Sequence, residues 1–255
     1  MNQEHCRIES VTEVAPNIFE LSFISHAISG QVLPGQFINI RIEDSLVPLL
    51  RRPFSLFSVD APVVSIIFNA IGIGTKLLSQ KKRGDMLDVI GPLGNGVFPL
   101  DGEDFSTAIL VAGGLGVATF PFLTSRLSST KNLFTFIGAR TASHVIRKGL
   151  KNVRIATDDG SEGFLGTVVD LFEAFLNEHK VVTPRIFSCG PMPMMRAVAQ
   201  IAEEKNIPCY VALECEMACG IGLCQGCPVE SATGEKKYNL VCKDGPVFET
   251  RKVNF

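Results

Sequence analysis

The 255-residue sequence as a whole has no surplus of basic charge: 24 Lys and Arg face 26 Asp and Glu, for a formal net charge of −2. A nucleic-acid-binding footprint and a polybasic membrane patch are thereby excluded. The first ten residues, Met1 to Ser10, contain no apolar core of a leader, which predicts a cytoplasmic chain without a secretory signal. There is no internal repeat, no low-complexity run and no long linker. The four histidines (His5, His26, His144, His179) fall in no motif, so nothing points to imidazole chemistry. The charge-free run from Phe105 to Thr124 is almost long enough to span a bilayer, but Gly113, Gly114, Gly116 and Pro121 interrupt it. It reads as a buried strand, a Gly-rich turn and a helix. With 46% hydrophobic and 20% charged residues, the chain can bury a substantial core.

What the sequence does have is cysteine: eight, of which four form a pattern. Cys219, Cys224 and Cys227 are spaced Cys-x4-Cys-x2-Cys, and Cys242 follows after a further fourteen residues. This is the plant-type spacing of a [2Fe–2S] cluster, in which four thiolates hold two irons. Gly220, Gly222 and Gly226 suit a loop whose N–H groups must turn toward sulfur. A structural zinc site, the core of a non-redox binding module, normally uses two CxxC knuckles, and only Cys224 and Cys227 make one. A disulfide framework needs an oxidising compartment. Cys215 as a ligand would leave a nine-residue gap to Cys224, so it reads as a structural thiol.

The predicted fold is α/β plus β in three parts. Residues 1–101 read as a small antiparallel barrel, with alternating runs at Asn17–Ile24 and Gln36–Ile42 and short runs at Pro62–Phe68 and Met86–Ile90, the last closed by Gly91-Pro92. In the second run Phe37, Asn39 and Arg41 share one face and Ile38, Ile40 and Ile42 the other. Residues 102–209 alternate strands (Thr107–Ala112, Leu133–Ile137, Val153–Thr157, Arg185–Cys189) with helices (from Gly113 to Leu127, from Gly166 to Asn177, and around Met194 to Ala202). That order implies a doubly wound parallel sheet with ligands at the carboxyl ends of its strands. The Met194-Met195 pair reads as core filler. Residues 210–255 form the small cluster segment.

A one-electron centre needs a partner that feeds it. Arg52-Pro53-Phe54-Ser55 offers a guanidinium for phosphate, an aromatic for a ring system and a hydroxyl for a flavin nitrogen. Gly72-Ile-Gly74-Thr75 could let backbone approach a pyrophosphate. Each could equally be an ordinary solvated pair or turn. Gly113-Gly114-Leu-Gly116 is not a GxGxxG fingerprint, but it places glycines between a buried strand and a helix. Cys189-Gly190-Pro191 repeats the device at a later strand end, where Cys189 is either a small buried residue or a neighbour of a nicotinamide ring.

In this order, together with Gly138-Ala139-Arg140, these motifs resemble the ferredoxin-reductase superfamily. With the C-terminal cysteines and Val241-Cys242-Lys-Asp-Gly-Pro-Val-Phe248, the whole chain looks like the electron-transfer subunits of class 1B dihydroorotate dehydrogenases. The resemblance implies FAD on Arg52, Pro53, Phe54, Ser55, Ile67, Phe68, Asn69, Gly74 and Thr75. It implies a [2Fe–2S] cluster on Cys219, Cys224, Cys227 and Cys242, while the strand-end turns at Gly113, Gly114, Gly116, Cys189, Gly190 and Pro191 are read as the place for NAD. It further implies a heterotetramer with a catalytic flavoprotein subunit in pyrimidine biosynthesis, where neither nucleic acid nor membrane takes part and no residue of this chain acts as acid or base on dihydroorotate. Two positions bear on the assignment. Asn69 stands where the family often carries Arg, and Cys219 stands where subunits of NADPH-linked ferredoxin oxidoreductases tend to have Asp. The rival enzyme is an NAD(P)H reductase serving ferredoxin or a sulfide/sulfite partner. Arg140 could meet a 2′-phosphate, so NAD rests on the resemblance alone.

Overall fold

The computed structural model describes residues 1–102 and 104–255. Its first part contains β1 (Asn2–Ala15), β2 (Ile18–Ile24), α1 (His26–Gln31), β3 (Phe37–Arg41), β4 (Arg52–Ser55), β5 (Ser58–Asp60), β6 (Val63–Asn69), α2 (Ile73–Ser79) and β7 (Met86–Leu93). The strands pair antiparallel in the order β4-β3-β7-β1-β2-β6-β5. The sheet curls until β4 meets β6, where Phe54 and Phe68 rings lie 5.8 Å apart. Its interior draws Ile8, Leu21, Ile38, Phe54, Ile66 and Val89 from six different strands, as a small barrel must.

Three features depart from the sequence reading. The region is not all-β: two short helices interrupt it, and α1 is started by Ser25, whose hydroxyl accepts from Ile28 N at 3.1 Å. β1, the longest strand, went unread because its outward positions are polar and only Cys6 and Ile8 are fully buried. β7 continues through Gly91-Pro92, where a turn is expected. Gly91 packs so tightly under β3 that an added Cβ would lie 2.6 Å from Ile38 Cγ2.

The second part runs β8 (Thr107–Gly113), a 3-10 turn (Gly114–Thr119), α3 (Phe120–Arg126), β9 (Asn132–Ala139), β10 (Val153–Thr157), β11 (Phe164–Leu165), α4 (Val168–Glu178), β12 (Pro184–Cys189), α5 (Met192–Glu204) and β13 (Cys209–Ala212). These strands are parallel, in the order β11-β10-β9-β8-β12-β13. β8 is buried along its whole length, as a central parallel strand covered on both faces should be. Its Leu110 and Ala112 join one core with Phe120 and Phe187, while Ile109 and Val111 join another with Phe136, Phe172 and Val198. Helix α4 starts from a reciprocal cap: Thr167 Oγ1 accepts from Asp170 N at 3.2 Å, and Asp170 Oδ2 accepts from Thr167 N at 3.1 Å.

The last part adds β14 (Pro228–Ser231), β15 (Tyr238–Leu240), β16 (Val247–Glu249) and β17 (Val253–Asn254). β15, β14 and β17 form a three-stranded sheet, while β16 pairs antiparallel with β13 and completes the large sheet. The expected boundary at residue 209 therefore falls inside β13. The core of this part is largely borrowed: Cys227, Leu240 and Cys242 pack with Phe37 and Leu93 of the barrel and Met195 and Val211 of the parallel-sheet domain. That explains why both faces of β3 are buried, with Ile38 and Ile40 turned inward and Phe37 and Asn39 against the C-terminal segment.

Candidate functional site

The loop between β13 and β14 presents Cys219, Cys224 and Cys227, and Cys242 follows β15. Its backbone turns as the motif requires: Gly220 and Gly222 have φ of 67° and 84°, and Gln225 has φ of 59°. Two N–H groups, from Ile221 and Cys224, donate to Cys219 Sγ at 3.5 and 3.4 Å. Cys242 N donates to Cys227 Sγ at 3.5 Å, and the Cys227 and Cys242 sulfurs stand 3.2 Å apart. The loop is anchored to the barrel by Asn39 Nδ2, which donates to the Cys219 carbonyl at 3.3 Å. Gly220 lies so close to this amide that an added Cβ would sit 2.0 Å from Asn39 Nδ2. Cys224 and Leu223 are exposed, whereas Cys227 and Cys242 are buried.

Cys227 and Cys242 meet sulfur to sulfur, and Cys219 meets Cys224 through that residue's backbone N–H. Among the described residues no three metal-binding side chains close on a common centre. A lone tetrahedral zinc would want four donors around one point, whereas two irons sharing four thiolates want two donors each. The residues fit the cluster. Burial opposes the Cys219 thiolate, but the N–H groups of Cys224 and Ile221 outweigh it and bring the thiol down to about 6. Burial and the adjacent Cys227 thiol push Cys242 up to about 12, and a bound cation would reverse that ordering.

Next to this loop is a cleft of about 290 Å³ in the barrel wall. Of the residues assigned to FAD, Pro53, Phe54, Ser55, Ile67, Phe68, Asn69 and Thr75 line it. Arg52 and Gly74 stand beside it and against each other, since a Cβ on Gly74 would lie 3.6 Å from Arg52 Nε. Phe54 and Phe68 give the cleft aromatic walls, and Ser55 and Thr75 add hydroxyls to its lining. The cleft therefore fits a flavin.

A second cleft, of about 640 Å³, opens at the carboxyl ends of the parallel strands. Gly113, Gly114, Gly116, Gly190 and Pro191 line it, as do Gly138, Arg140, Asp158 and Met194. The glycines are there because β8 and β12 end in contact: a Cβ on Gly116 would lie 2.2 Å from the Cys189 carbonyl oxygen, and one on Gly113 2.6 Å from Met194 Sδ. Cys189 itself is 1% exposed and lines neither cleft; burial pushes its thiol well up. Met195 is core filler, as expected, but its side of α5 also borders the cleft.

Sequence reasoning missed Glu214. It follows β13 and lines both clefts together with Leu115. The residue is exposed where the two clefts meet, and partial desolvation of its carboxyl pushes it above the usual range. No motif marks it; the available signal was an acid directly at the carboxyl end of an apolar strand, Val211-Ala212-Leu213.

Comparison with known proteins agrees with this geometry. Residues 214–254 match the model of the iron-sulfur cluster binding domain of dihydroorotate dehydrogenase B. A protein of Bacillus velezensis named dihydroorotate dehydrogenase B (NAD(+)), electron transfer subunit, is 36% identical over 261 residues, covering 99% of each chain. The chain belongs to this family of electron transfer subunits. A family member from Desulforamulus reducens is 37% identical, over 97% of this chain and 96% of its own. Among solved structures, an NADH-dependent reduced ferredoxin-NADP oxidoreductase superposes with a TM-score of 0.85 at 29% identity, over 98% of this chain and 89% of that one. A ferredoxin NADP+ reductase from Neisseria gonorrhoeae shares the fold, with a TM-score of 0.65 at 15% identity over 79% of this chain and 91% of its own. Among the described residues no helix is long and apolar enough to cross a membrane.

Proposed function

We propose that this chain is the NAD-linked electron-transfer subunit of a cytoplasmic dihydroorotate dehydrogenase, working in pyrimidine biosynthesis beside a separate flavoprotein subunit that oxidises dihydroorotate. Two copies of each would form a heterotetramer. Cys219, Cys224, Cys227 and Cys242 would hold the [2Fe–2S] cluster. Pro53 to Ser55, Ile67 to Asn69 and Thr75 would hold FAD, with Arg52 and Gly74 at its phosphates, and the glycines of β8 and β12 would admit NAD. Bound, the cluster supplies one-electron transfer and FAD the exchange between one- and two-electron steps.

The chain's own residues position these groups. The observation that carries the reading is one short segment: Leu213 and Glu214 wall the barrel cleft, Glu214 also walls the nucleotide cleft, and five residues later comes Cys219. Three sites that must exchange electrons thus share one stretch of backbone. Asp158 borders the nucleotide cleft beside Arg140, and its carboxylate favours a ribose hydroxyl over a second phosphate. This supports NAD over NADP.

Co-purification with the catalytic subunit in the absence of oxygen, followed by iron and FAD analysis and an assay of dihydroorotate-dependent NAD+ reduction, tests the proposal. Two irons and one FAD per chain and coupled reduction are expected. A colourless zinc protein would overturn it. Reduction of ferredoxin without any dihydroorotate coupling would instead favour a ferredoxin-linked reductase, the activity named for the solved neighbour at 29% identity.

A further inference from the structure

The peptide that joins Cys219 to Gly220 must settle on one orientation, because the amides of Ile221 and Cys224 that follow it donate to Cys219 Sγ. Glycine does not make that choice. Gly220 has φ of 67°, but a glycine takes negative φ about as readily, so the peptide could turn over at little backbone cost. It is held from outside the loop, by Asn39 Nδ2 donating to the Cys219 carbonyl at 3.3 Å. Asn39 is 2% exposed and belongs to β3, which pairs with β4 at Pro53 and with β7 at Ile90. A donor on a strand bonded along both edges is a fixed reference. The same strand carries Phe37, which with Pro53 walls the flavin cleft. Gly220 lets the amide come this near, since a Cβ there would lie 2.0 Å from Nδ2.

We propose that Asn39 is a positioning residue for electron transfer: it locks the Cys219–Gly220 peptide with its oxygen toward the barrel, keeps the following N–H groups on Cys219 Sγ, and so raises the reduction potential of the cluster that Cys219 holds. This rests on the function proposed above. Reduction adds negative charge to the thiolate ligands, so N–H donors on a ligand stabilise the reduced form more than the oxidised form. Asn39 acts through the backbone of the loop rather than on a thiol. Without its hydrogen bond the turn at Gly220 is free to relax. The Ile221 N–H then loses its alignment, and a hydrogen bond weakens steeply with angle.

The test is a redox titration of the oxygen-free holoprotein with its partner subunit, followed by electron paramagnetic resonance of the reduced cluster. Wild type is compared with Asn39→Leu, which keeps the bulk without the donor, and Asn39→Ala, which removes both. Val253→Ala is the control, because it takes apolar packing from the same C-terminal core on β17. Iron content equal to wild type is expected in all three. At the wild-type midpoint the ratio of reduced to oxidised cluster in Asn39→Leu should fall roughly threefold to tenfold, the worth of one hydrogen bond; tenfold corresponds to about 59 mV for one electron. Asn39→Ala should fall by as much or less, since the vacated space can admit a water that donates in place of the amide. Amide exchange at Ile221 and Cys224 should quicken in Asn39→Leu. Val253→Ala should unfold more easily with its midpoint unmoved.

An unshifted midpoint in Asn39→Leu overturns the inference. So does an equal fall in Val253→Ala, which would make looseness of the segment, rather than the aimed peptide, the cause. Loss of iron from both Asn39 variants overturns it too, because the contact would then assemble the cluster rather than tune it. A wild-type protein that binds FAD but no iron would overturn the proposed function itself. The two failures are thus distinguishable.

Discussion

The parallel-sheet domain and the C-terminal segment solve the same problem in opposite ways. The first holds itself together: β8 is buried end to end, and the cores on its two faces are filled mainly by its own Phe120, Phe136, Phe172 and Phe187. The second has strands of two to four residues and a core completed by Phe37, Leu93, Met195 and Val211 from elsewhere. Short strands with little apolar area of their own are marginal without a staple. In the proposed function the staple would fall to the four cysteines, so metal binding and local folding should be one event.

The sharpest way to break that comparison is to remove a ligand. Cys227→Ser should abolish the cluster and cut dihydroorotate-dependent NAD+ reduction by more than about a hundredfold, beyond what losing an outer hydrogen bond costs. Amide exchange in the same variant should speed up across 214–245 while β8 and β12 keep their protection. Equal loosening of β8 would show that the segment is no weaker than the sheet.

A smaller effect separates glycines by region. Gly220→Ala forces a side chain onto φ of 67° and into Asn39 Nδ2, and should cost about 1–3 kcal/mol in chemical denaturation. Gly30→Ala in α1 of the barrel meets nothing within 4 Å and should instead stabilise by about 0.5–1 kcal/mol.

The same contrast governs what could be read in advance. The cluster loop was legible because its chemistry fixes both spacing and residue type, and the parallel strands because burial on both faces leaves unbroken apolar runs such as Ile109 to Ala112. β1 was not, since its outward Glu and Thr positions follow no pattern beyond Cys6 and Ile8. The burial of Asn39 was illegible for another reason: a polar residue on a strand reads as solvent-facing until the C-terminal segment is folded against it. The place of Glu214 depends on two clefts converging on the segment after β13, and no local period encodes that convergence.

Glu214 sharpens the comparison through pH. Its carboxyl is raised by burial, so the folded state holds that proton more tightly than the unfolded chain does. The resulting stability is fully present below the ordinary glutamate range and is lost as pH rises through the raised folded value. Glu214→Gln removes this dependence, so the gap in thermal midpoint between variant and wild type should widen in the variant's favour from about pH 4 upward. A parallel pair of pH profiles would show that the carboxyl is effectively solvated.

The smallest effect lies where the barrel meets the sheet domain. Lys148 Nζ and Glu20 Oε2 are 2.7 Å apart across that junction, but the lysine is 66% exposed. Phe122 of α3 is buried among barrel residues, and Ile18, Phe57 and Ile67 of the barrel are buried against the sheet domain. The junction is therefore apolar, with the ion pair on its rim. An exposed pair of this kind is worth about 0.2–1 kcal/mol and is screened by salt. Lys148→Ala should accordingly move the denaturation midpoint by no more than that, and by less at high ionic strength. A larger, salt-resistant loss would mean that charge, rather than shared aromatic and aliphatic packing, fixes the barrel and the sheet domain against each other.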